Sequence, residues 1–76
     1  MPSYQRLIDD ATHTLFEVSP TPRIDAEYLL QFVADKPMAW LISHGETLAT
    51  AEHIRAYATL VAVSYTHLTL PTIYSV

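Results

Sequence analysis

From Tyr4 to Val61 the apolar positions recur with the period of amphipathic helices. Tyr4, Leu7, Ile8, Ala11 and Leu15 stand at i, i+3, i+4, i+7 and i+11, one stripe on a 3.6-residue repeat, with Asp9, Asp10 and His13 off it. Ser3 is placed to cap this first helix, because its hydroxyl can accept from an amide left unpaired in the first turn. Ser19-Pro20-Thr21-Pro22 ends it, since the prolines donate no amide and push Ser19 and Thr21 towards extended backbone. A second helix is expected from Pro22 or Arg23 to Ala34. Thr21 is its cap, Pro22 sits at its first position, and Ala26, Leu29, Leu30 and Val33 form its buried stripe.

Asp35-Lys36-Pro37 reads as a corner, with Asp35 or Lys36 capping a short third helix. In that helix Met38, Leu41 and Ile42 share a face and Trp40 lies beside it. His44-Gly45 stops it, and Gly45, the single glycine, suits a left-handed position after a helix. Thr50 caps a fourth helix with Glu52 in its first turn, where a carboxylate suits the helix dipole. Ile54, Tyr57, Ala58 and Val61 are its stripe. The fold class expected is all-α, a small antiparallel bundle of about four helices with short connections.

At Val63 the pattern changes. Val63 to Val76 contains no Asp, Glu, Lys or Arg; Thr, Tyr, Val and Ile dominate, which is strand propensity, and Pro71 interrupts. A single strand has no sheet to join in a helical bundle. The segment resembles the translation of a sequencing adapter. The expectation is a helical domain over residues 1–62 and a non-native, extended or irregular tail over residues 63–76.

Composition narrows the functional classes. The 76 residues accommodate one small domain, and half of them are hydrophobic, enough for one core. Four Lys and Arg against eight Asp and Glu give a net charge of −4, which argues against direct nucleic-acid binding, because phosphate neutralisation needs clustered cations. There is no cysteine, hence no disulfide, thiolate nucleophile or cysteine zinc site. Asp9 and Asp10 fall where a signal peptide needs its apolar run. No apolar stretch approaches the roughly 20 residues of a membrane span. The expected location is cytoplasmic.

Candidate chemistry is sparse. His13, His44, His53 and His67 include no pair at the i, i+4 spacing of a helical two-histidine metal site, and they read as surface residues. Asp9 and Asp10 are adjacent and diverge around the helix, so they make no acid–base pair. Arg23 and Glu27 are spaced to pair with each other at i, i+4, and a role in capping and solvating the second helix is favoured over a site. Tyr28, Phe32 and Trp40 read as core or as a domain seam, with a partner-binding patch as the alternative. The candidate contact residues are Arg23, Glu27, Tyr28 and Trp40. No catalytic, cofactor-binding or metal-binding residue is identified.

The wording of Ser19-Pro20-Thr21-Pro22-Arg23-Ile24-Asp25-Ala26-Glu27-Tyr28-Leu29-Leu30, followed by His44-Gly45-Glu46-Thr47-Leu48, resembles the N-terminal domain of the release factor glutamine methyltransferases, the HemK/PrmC family. The resemblance covers about residues 3 to 62. It implies a helical domain that helps present a peptide chain release factor. It also implies a second, Rossmann-like domain in cis that uses S-adenosylmethionine to methylate the glutamine of a Gly-Gly-Gln loop. That chemistry depends on a Gly-rich cofactor turn and an Asn-Pro-Pro-Tyr motif that hold an amide, a poor nucleophile, in line with the sulfonium methyl. Neither motif occurs in these 76 residues. The expectation is therefore a truncated substrate-recognition domain, inactive by itself and without S-adenosylmethionine. A free-standing helical adaptor is the alternative.

Overall fold

The computed structural model describes residues 1–69, with side chains up to Thr66. Four helices follow one another: α1 (Tyr4–Leu15), α2 (Pro22–Ala34), α3 (Met38–Ser43) and α4 (Ala51–Thr69). The chain is the small all-α bundle that the periodicity predicts, and no strand forms among the described residues. α1 packs most extensively on α2, and α4 lies against both.

The α1 stripe is buried at all five expected positions, with Leu15 and Ile8 among the most enclosed side chains. Opposite it lie Ala26, Leu30 and Ala34 of α2, Leu41 of α3, and Tyr57 and Val61 of α4. Each fully buried leucine or isoleucine contributes about 1.5–3 kcal/mol of transfer free energy. Leu29, Val33 and Ile54 are half-buried around this core, and Ala58 faces solvent. Tyr57 crosses the core to donate its hydroxyl to the Ala26 carbonyl at 2.8 Å, tying α4 to α2.

Ser3 caps α1 as expected, its Oγ accepting from the Arg6 amide at 3.2 Å. Thr50 caps α4, its Oγ1 accepting from the His53 amide at 3.1 Å. Thr21, by contrast, makes no side-chain cap on α2. The buried Ser19 ties that corner instead: its Oγ accepts from the Thr21 amide at 3.1 Å and donates its proton to the Asp25 carboxylate. Asp35 does not open α3. It closes α2 in the left-handed region at φ 55°, and its amide and that of Lys36 both reach the Gln31 carbonyl; aspartate tolerates this region better than most side chains. Pro37 takes the cap position of α3 without a side-chain bond.

Gly45 is not left-handed. It is buried where the chain runs beside α1, and its carbonyl accepts from the Gln5 amide at 2.9 Å. That bond belongs to a short backbone seam. Tyr4 donates to Thr47, Ala49 donates to Pro2, and Ser3 and Leu48 form an antiparallel bridge. The N-terminus is thereby stitched to the α3–α4 connection.

α4 continues through residues 63–69, past the point where strand propensity predicts a stop. In a helix each β-branched residue gives up only a few tenths of a kcal/mol, whereas a strand here would leave its backbone without partners. Thr66 accommodates itself by donating to the Ala62 carbonyl at 3.0 Å. The rest of the expected tail, residues 70–76, lies outside the described residues.

Candidate functional site

Three large apolar side chains stand exposed in register on α2. At about 100° per residue, positions 24, 28 and 32 line one side of the helix and positions 26, 30 and 34 the other. The second set is buried. The first is not: Ile24, Tyr28 and Phe32 are 63%, 71% and 74% exposed. Phe32 also edges a shallow groove of about 890 Å³ between α2 and α4, with Val33, Ala51, Glu52, Arg55 and Leu60 around it. On its other side Tyr28 and Phe32 share a depression of about 400 Å³ with Asp35, Lys36 and Pro37.

Arg23 and Glu27 pair as their spacing predicts, Nε to Oε2 at 3.2 Å. A third partner joins them from α1, since the Arg23 guanidinium also lies 3.6 Å from Asp9. Asp25 points elsewhere, to Ser19. These surface ion pairs are each worth ~0–1 kcal/mol, and they draw Arg23 into the α1–α2 seam.

Trp40 is half-buried and stands apart from Tyr28 and Phe32 in a cluster of its own. Its ring meets Tyr4 edge-on at 5.7 Å between centroids, stacks on His44 at 4.1 Å, and carries the Lys36 ammonium 5.4 Å from its centroid. His44 donates from Nδ1 to the Trp40 carbonyl at 2.9 Å. Tyr4, nearly fully buried, hydrogen-bonds through its hydroxyl to His53 Nδ1 at 2.9 Å, so His53 is part of the packing and not a free surface group. The expected partner set therefore divides. Tyr28 is on the open face, Arg23 and Glu27 are in a surface ion cluster, and Trp40 braces α3 against α1. Ile24 escaped the sequence reading. Its signal was present, four residues before Tyr28 and eight before Phe32.

Among the described residues no three His, Asp or Glu converge closely enough to hold a metal ion. Asp9 and Asp10 serve separate bonds, to Gln5 and Arg6. The Tyr57 hydroxyl is held well above the ordinary phenol range, first by burial and then by the negative charge of Glu27; a phenol so held is a structural donor. No helix among the described residues is long and apolar enough to cross a membrane.

Fold and surface define a small helical bundle with an open apolar helix face, a form suited to contact between proteins. A family model for the PrmC N-terminal domain matches residues 6–67, which covers most of the chain, and the chain belongs to that family. The match takes in the whole of α2 and α3 and most of α1 and α4. No curated protein and no solved structure matches.

Proposed function

We propose that this chain is the substrate-recognition domain of a peptide chain release factor glutamine methyltransferase. In this reading residues 1–62 hold the release factor, and a catalytic domain in cis, using S-adenosylmethionine, carries out the methyl transfer in the cytoplasm. Residues 63–76 lie outside the recognition role. The observation that carries the proposal is the family match over residues 6–67. Two features of the molecule support it: an exposed apolar face on α2, and the absence from the sequence of a Gly-rich cofactor turn. With a single glycine the chain has no means of wrapping a loop around a nucleoside sulfonium.

The test is direct binding. A peptide chain release factor is immobilised and the 76-residue chain is passed over it, while S-adenosylmethionine is titrated into the chain by calorimetry. The chain should bind the release factor saturably and give no cofactor heat. Micromolar binding of S-adenosylmethionine, or no binding of the release factor, would overturn the proposal.

A further inference from the structure

We draw no further inference here: the strongest candidate, the outer apolar face of α2 at Ile24, Tyr28 and Phe32, is exposed surface whose bordering carboxylates, Asp35 and Glu52, are balanced by Lys36 and Arg55, and nothing in the structure shows what covers it.

Discussion

Tyr57 shows how one residue joins packing to titration. Its ring fills the centre of the bundle and its hydroxyl reaches the Ala26 carbonyl at 2.8 Å. Tyr57→Phe keeps the ring and removes the bond, so a loss of about 1 kcal/mol is expected from urea unfolding at neutral pH. Burial and the Glu27 charge raise the folded-state pKa above the ordinary value of about 10. An acid whose folded pKa is raised favours the folded state fully below its unfolded pKa and loses that contribution as pH rises through the folded one. The wild-type chain should therefore lose stability above about pH 10, and the Tyr57→Phe chain should lose less over the same interval. Parallel pH dependence of the two chains would show that the phenol is not the group responsible. The sequence placed Tyr57 on the buried stripe. It gave no sign of the Ala26 partner, thirty-one positions away, because a long-range hydrogen bond leaves no periodicity.

At the level of elements, the local rules succeeded where a helix carries its own instructions and failed where a neighbour decides. The α1 stripe, the Ser3 and Thr50 caps and the Arg23–Glu27 pair are all set by residues within one or two turns, and all are found in place. The corner before α2 is different. Thr21 had the right side chain for a cap, yet Ser19 and Asp25 hold the turn between them. Ser19→Ala removes both bonds at once and should lower stability by ~1–2 kcal/mol in urea unfolding; Thr21→Ala should cost less. The seam between Pro2–Gln5 and Gly45–Ala49 was equally invisible, since backbone pairing carries no side-chain signature. α4 is instructive, because β-branched residues made 63–69 read as the start of an extended or irregular tail, whereas the helix continues to Thr69; context, not propensity, decides such segments. Deleting residues 63–76 should remove the helical circular-dichroism signal that 63–69 contribute, with cooperative unfolding retained. Loss of cooperativity would mean that this end of α4 supports the core.

For the molecule as a whole, the candidate site was partly legible. Tyr28 was named and is exposed on α2, while Trp40, named beside it, is occupied with Tyr4, His44 and Lys36. Composition alone cannot separate an aromatic that braces a corner from one left exposed; the difference is which side of the helix faces the core. Membership in the PrmC N-terminal domain family and the open α2 face together lead to the central claim, a domain that holds a release factor and leaves methyl transfer to other residues. The most direct measurement adds the 76-residue chain in trans to a full-length release factor glutamine methyltransferase and follows methylation of the release factor. Competition for substrate predicts a KM that rises with chain concentration at unchanged kcat, with the Phe32→Asp chain a weaker competitor. An unchanged KM at saturating chain, or methylation by the chain without the enzyme, would contradict the account.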